Sequence, residues 1–79
     1  LITIKIKFGK SKEIRKGQFG RIIREGNKYK LYILDTPDFL STLAHEFGHI
    51  ITDQLKDVKD EEELPEILED ATRKWIRKQ

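Results

Sequence analysis

Apolar and polar residues alternate at the start of the chain. In Leu1–Phe8, Ile2, Ile4, Ile6 and Phe8 are separated by Thr3, Lys5 and Lys7. A period of two predicts a strand with one face buried and one face wet. Gly9–Lys12 is a polar break. Gln18–Arg24 holds Phe19, Ile22 and Ile23 and reads as a second strand. Tyr29–Leu34 reads as a third, with Tyr29, Leu31 and Ile33 on one face and Lys30, Tyr32 and Leu34 on the other. Between the last two lies Glu25-Gly26-Asn27-Lys28, where Gly26 and Asn27 can both take φ > 0. The second and third strands therefore form a hairpin, and the first completes a small twisted antiparallel sheet of about three strands.

The period then changes from two to between three and four. Leu40, Leu43, Ala44, Phe47, Ile50, Ile51 and Leu55 recur at helical steps. Thr36 can cap this helix, Pro37 suits its first position, and Asp38 favours the positive end of the dipole, so it is placed from Pro37 to about Lys56. Asp60 can cap a further helix at capping-box spacing from Glu63. Leu64, Ile67, Leu68, Ala71 and Trp75 form its buried stripe. Pro65 lacks the amide that would bond the Glu61 carbonyl, which favours a looser turn first and regular helix from Pro65. The expected class is α+β, with strands in residues 1–34, one helix in 36–56 and another in 60–79, all in one domain over 1–79. A chain of 79 residues has room for one small core.

Composition narrows the chemistry. There is no cysteine, which excludes disulfides and thiolate metal sites. Charged residues make up 38% of the chain, yet formal net charge is only +2, a balance that does not point to nucleic acid or membrane. The basic run Arg73–Lys78 is balanced by acidic residues just upstream and reads as a solvated helix end. No apolar run approaches the ~20 residues of a bilayer span, and no signal peptide is visible, so the expected compartment is the cytoplasm. The strand-like run begins at Leu1 with no methionine before it, which reads as a trimmed chain.

The chain's two histidines, His45 and His49, both fall on the first helix. Four residues apart, their imidazoles lie one turn apart on one face and can share a Zn²⁺ ion. Glu46 is turned by about 100° from His45, which suits a general base beside a metal-bound water rather than a ligand. Gly48 lets another segment approach the helix closely.

The run Thr42-Leu43-Ala44-His45-Glu46-Phe47-Gly48-His49-Ile50-Ile51 resembles the active-site helix of the zincins. It is similar to the small gluzincins: the ImmA/IrrE-like and SprT-like peptidases, the phage-type zinc peptidases and the archaeal minigluzincins. Order of elements extends the likeness over Gln18–Trp75. No histidine follows His49, so a metzincin-type third histidine is excluded. The resemblance implies a third ligand from a glutamate of the next helix, and a substrate held extended along the hairpin edge.

Which glutamate this is stays open. Glu61 stands nearest the edge of the expected stripe and is the first choice, with Glu62 next. An acidic pair at this distance in phage-type relatives favours the same two. Glu66 with Asp70 matches the ExxxD pattern of larger gluzincins, and Glu69 has the thermolysin-like separation from His49. Asp53, one turn past His49, is a candidate to hold an imidazole N–H. Tyr29, Tyr32 and Arg73 are candidates for an oxyanion contact. Trp75 reads as core.

The expected function is zinc-dependent endopeptidase chemistry on a peptide or unfolded protein substrate, with Glu46 activating a zinc-bound water. The alternatives are a latent zincin, blocked by self-association or by a terminal tail, and a zinc-stabilised interaction module without turnover. Neither nucleic acid nor membrane is an expected partner.

Overall fold

A computed structural model describes residues 1–55 and 57–78. Three strands, β1 (Thr3–Phe8), β2 (Gly20–Glu25) and β3 (Lys28–Ile33), are followed by two helices, α1 (Phe39–Gln54) and α2 (Glu63–Arg77). The α+β class, three strands and then two helices, is the one the periodicity predicts. The chain divides into two compact units, Leu1–Phe39 and Leu40–Gln79. Among the described residues no helix is long and apolar enough to cross a membrane.

In the first unit the strand order is β1-β3-β2. β2 and β3 form the predicted antiparallel hairpin, with Glu25 opposite Lys28 across the two-residue turn. Gly26 has φ +61°, whereas Asn27 does not take positive φ. One positive φ, at the first central position, is the mark of a type II′ turn, whose twist matches that of the strands.

The sheet is mixed rather than wholly antiparallel, because β1 runs parallel to β3. Parallel neighbours need a long connection, and here the link spans residues 9–19 and the whole of β2. The Gly9 amide donates to the Ile33 carbonyl (2.9 Å), and the Leu34 amide donates to the Phe19 carbonyl (2.8 Å). Both ends of the 9–19 segment are thereby tied to the end of β3, so the segment bridges the two outer strands there. β3, paired on both sides, carries the buried side chains Tyr29, Leu31 and Ile33. Burying each of the two aliphatic ones is worth ~1.5–3 kcal/mol. The edge strand β1 is wetter than its alternation predicts: Ile6 and Phe8 are exposed on the same face. Phe8 does meet Phe39 edge to face, at 5.6 Å between ring centroids.

In the second unit α1 begins two residues later than predicted. Pro37 and Asp38 lie in a turn closed by the Phe39 amide on the Thr36 carbonyl (3.1 Å). α1 ends at Gln54, and the predicted end near Lys56 falls outside the described residues, as does Gln79. α2 begins at Glu63, not at Pro65. Its first bond runs from the Glu66 amide to the Glu62 carbonyl (3.1 Å). Pro65 therefore stands in the first turn, where a helix needs no amide donor.

The buried face of α2 also differs from prediction. Pro65 is buried, and Leu68, Glu69, Thr72, Arg73 and Ile76 are half-buried at steps of three and four. Ile67 and Trp75 are 54% and 58% exposed, so Trp75 is not core. The helix is thus turned by about one residue step, ~100°, from the purely apolar stripe. Two contacts within this unit account for the rotation: Pro65 against Gly48, and Glu69 against His45.

Candidate metal centre

The three groups that can hold a metal lie in the second unit. His45 and His49, four apart on α1, bring their Nε2 atoms to 3.1 Å from each other. The carboxylate of Glu62, the residue before α2, approaches both. Its Oε1 is 3.6 Å from His49 Nε2 and its Oε2 is 3.8 Å from His45 Nε2. These are the residues that the described structure groups at metal-ligand spacing. A tetrahedral ion ~2.0–2.1 Å from each ligand sets the ligand atoms ~3.3–3.4 Å apart. The imidazole nitrogens stand slightly closer than that and the two Glu62 oxygens slightly farther, one from each histidine, and two imidazoles with one carboxylate form the His₂Glu donor set of catalytic zinc sites. The residues therefore fit a zinc ion, with a fourth position left for water or substrate. The imidazoles are largely covered, whereas the Glu62 side chain is 58% exposed.

Local sequence explains how Glu62 reaches this position. The Asp60 side chain accepts from the Glu62 amide (3.0 Å), which closes a turn ahead of α2. Glu62 is the N-cap of α2, but its side chain makes no capping hydrogen bond and is left to face the histidines. Glu61, the first choice from sequence, is exposed and outside the group. Glu61 and Glu62 are neighbours on a helical turn and diverge by ~100°, so only one of them can face α1. Glu66 is exposed on α2.

Gly48 makes the approach of α2 possible. A Cβ on Gly48 would stand 2.6 Å from the Pro65 Cα and 2.8 Å from the Pro65 nitrogen. Both are backbone atoms that cannot swing aside. The missing side chain lets the first turn of α2 cross α1 one residue from His49, and Glu62 lies immediately before that turn.

Glu69 does not join the ligand group. Its Oε1 lies 2.7 Å from His45 Nδ1, off the direction of a good hydrogen bond. Its Oε2 accepts from Arg73 (3.0 Å), one helical turn on. A carboxylate at Nδ1 favours the proton on that nitrogen and leaves the Nε2 lone pair facing the cluster. Arg73 is thereby engaged as the anchor of Glu69. Asp53, one turn past His49 and a candidate to hold an imidazole N–H, is exposed, and the carboxylate at His45 is that of Glu69. The contact of Glu69 with His45 is not legible in the sequence because it depends on the rotation of α2. The available signal was its i,i+4 spacing to Arg73.

Glu46 is half-buried and outside the ligand group. Burial pushes its carboxyl above the ordinary range; His49 and His45 pull it down, and Glu62 and Glu69 push it up. A carboxylate short of water is a stronger base than one in solvent, and here burial outweighs the pull of the two imidazoles. Of the oxyanion candidates in the first unit, Tyr29 is buried under the Arg24 guanidinium, 5.4 Å from the ring centroid. Tyr32 lies on the opposite face of β3.

No protein-family model, curated protein or solved structure matches the chain.

Proposed function

We propose that the chain is a zinc-dependent metalloendopeptidase, with His45, His49 and Glu62 as ligands and Glu46 as general base. The observation that carries this reading is the meeting of two Nε2 atoms and one carboxylate at zinc-ligand spacing, with a second, partly desolvated carboxylate beside them. The resemblance of the His45–His49 helix to the gluzincins supports it.

Zinc held there would polarise a peptide carbonyl and acidify water at its open position. The chain's own residues supply the proton traffic. Glu46 takes a proton from the attacking water as its oxygen bonds to the carbonyl carbon. Glu46 then gives that proton to the amide nitrogen as the C–N bond breaks, leaving one new carboxyl and one new amine. Glu69, anchored by Arg73, holds His45 in the tautomer that ligation needs. A purely structural site has no use for a general base, so Glu46 favours turnover over a metal-stabilised module. The substrate proposed is a peptide or unfolded protein, and the proposed compartment is the cytoplasm.

The test is cleavage of a flexible substrate such as casein by zinc-loaded protein. Glu46→Gln should retain one equivalent of zinc and lose cleavage by ~100-fold or more. Equal cleavage by that variant would contradict the assignment of the base. Absence of stoichiometric zinc in chelator-free wild type would contradict the site.

A further inference from the structure

Net charge conceals how charge is arranged in this chain. Residues 1–39 carry ten Lys and Arg against four Asp and Glu, and residues 40–79 carry six against ten. A total of +2 is thus a sheet unit at +6 and a helical unit at −4. Such asymmetry between two halves is itself a pointer to a charged partner.

Strand register gathers much of the positive charge on one face of the sheet. Lys28 lies opposite Thr3, Lys30 opposite Lys5, and Tyr32 opposite Lys7. On the other side β2 sets Glu25, Ile23 and Arg21 beside the same three β3 residues. Side chains alternate along a strand, so Lys5, Lys7, Lys28, Lys30, Arg21 and Tyr32 share the face opposite buried Tyr29, Leu31 and Ile33. Lys5 and Lys7 are exposed, and the others are half-buried. Two carboxylates already meet these cations: Glu25 reaches Lys30 at 3.3 Å, and Glu13, from the 9–19 segment, reaches Arg21 at 3.9 Å, which leaves Lys5, Lys7 and Lys28 to carry most of the open charge. Lys28 and then Lys30 and Lys7 crowd Lys5 and hold its ammonium below the usual lysine range.

Like charges set across a strand pair cost stability. Lysines on the edge strand β1 have an ordinary use, since they keep an open edge from pairing with other chains. That use does not extend to Lys28 and Lys30, because β3 is central and paired on both sides. A polyanion laid across the face would offset the repulsion.

We propose that this face, built from Lys5, Lys7, Lys28, Lys30 and Arg21 around Tyr32, binds single-stranded nucleic acid. Its cations repeat every ~6.6 Å along the strands and ~4.8 Å between them, a spacing suited to a chain of phosphates. Tyr32, amid the cations, offers a ring on which a base can stack irrespective of sequence. An acidic polypeptide has no use for that ring. A membrane surface calls for a broad apolar contribution, and Ile23 is the one aliphatic strand residue on the face. The site lies wholly in the first unit and does not depend on metal binding in the second.

The test uses the full chain and fluorescence anisotropy of a labelled oligothymidine of roughly 15 nucleotides, from 20 to 200 mM salt. With about four phosphates engaged, the log–log salt slope should be near −3, at about −0.7 per contact. Lys5→Ala with Lys30→Ala should weaken binding at least tenfold and flatten the slope by ~1.4. Tyr32→Leu should weaken it while Tyr32→Phe does not, and Lys74→Ala on α2 should change nothing. Should the double variant lose its fold by circular dichroism, Lys5→Gln with Lys7→Gln, both exposed, carries the same test. Undiminished binding by the folded variants would overturn the proposal. So would equal or tighter binding of polyglutamate, or of phosphatidylglycerol vesicles, at the same salt.

Discussion

The two halves of the candidate metal centre differ in how they are specified. His45, Glu46 and His49 lie on one helix, and their geometry follows from 3.6 residues per turn. Glu62 and Glu69 reach the same place from a second element. Their positions depend on where α2 starts, how it is turned, and how closely it crosses α1 at Gly48 and Pro65. Spacing along one helix is a local property, readable residue by residue. Selection of one carboxylate from five glutamates in residues 61–69 is a packing property.

Perturbing either half probes that difference. The largest effect is expected on the local half. His49→Ala should weaken zinc binding by ~1,000-fold or more, since three ligands share an ion whose structural sites bind by ~10–16 kcal/mol. Competition with a chromogenic chelator measures it.

On the packed half, Glu62→Ala should weaken zinc by ~100-fold or more, and Glu61→Ala by less than ~3-fold. The reverse ranking would return the ligand role to Glu61.

Glu69→Gln keeps the shape but removes the charge at His45 Nδ1, and should cost ~10–100-fold in zinc affinity. Glu69→Asp should recover less than the parent, because Arg73 and His45 are both reached by the longer side chain. Equal zinc affinity in Glu69→Gln would remove the positioning role.

Gly48→Ala presses a methyl group against the Pro65 backbone and should destabilise the fold by ~1–3 kcal/mol. It should also lower zinc affinity by displacing Glu62, whereas a substitution at exposed Phe47 should leave the affinity unchanged. Thermal melts and chelator competition on the same samples separate these outcomes.

The smallest effect concerns Glu46 in the metal-free protein. Burial raises its carboxyl above the ordinary value of 4.5, so the folded state holds that proton more tightly than the unfolded state does. The stabilisation is present below 4.5 and is lost as pH rises through the elevated value. Glu46→Gln lacks this loss. Its melting temperature relative to wild type should therefore climb between pH 4.5 and neutrality, and a constant difference would contradict the shift.

Legibility in the sequence follows the same division between local and packed features. Alternation located β1 and β3, the apolar residues Phe19, Ile22 and Ile23 located β2, and Gly26 marked the hairpin turn. The parallel pairing of β1 with β3 was not legible, because alternation is the same in parallel and antiparallel neighbours and each partner lies 25 residues on, as Lys28 does from Thr3. The helix carrying His45 and His49 was legible from its apolar steps. The face of α2 was not. Ile67, Ala71 and Trp75 made an apolar stripe, but the inward face carries Glu69 and Arg73, held by polar contacts that a hydrophobic pattern does not register. The same rotation brings Glu69 to His45. Net charge hid the basic face of the sheet in a similar way, since only strand register sets Lys5 against Lys30.

Ligation of one zinc ion by His45, His49 and Glu62 is tested most directly by anomalous scattering at the zinc edge from crystals grown without chelator. The expected result is a single peak ~2.0–2.2 Å from His45 Nε2, His49 Nε2 and a Glu62 oxygen. No peak between the two imidazoles, or a peak completed by Glu61 or Glu69 in place of Glu62, would contradict it.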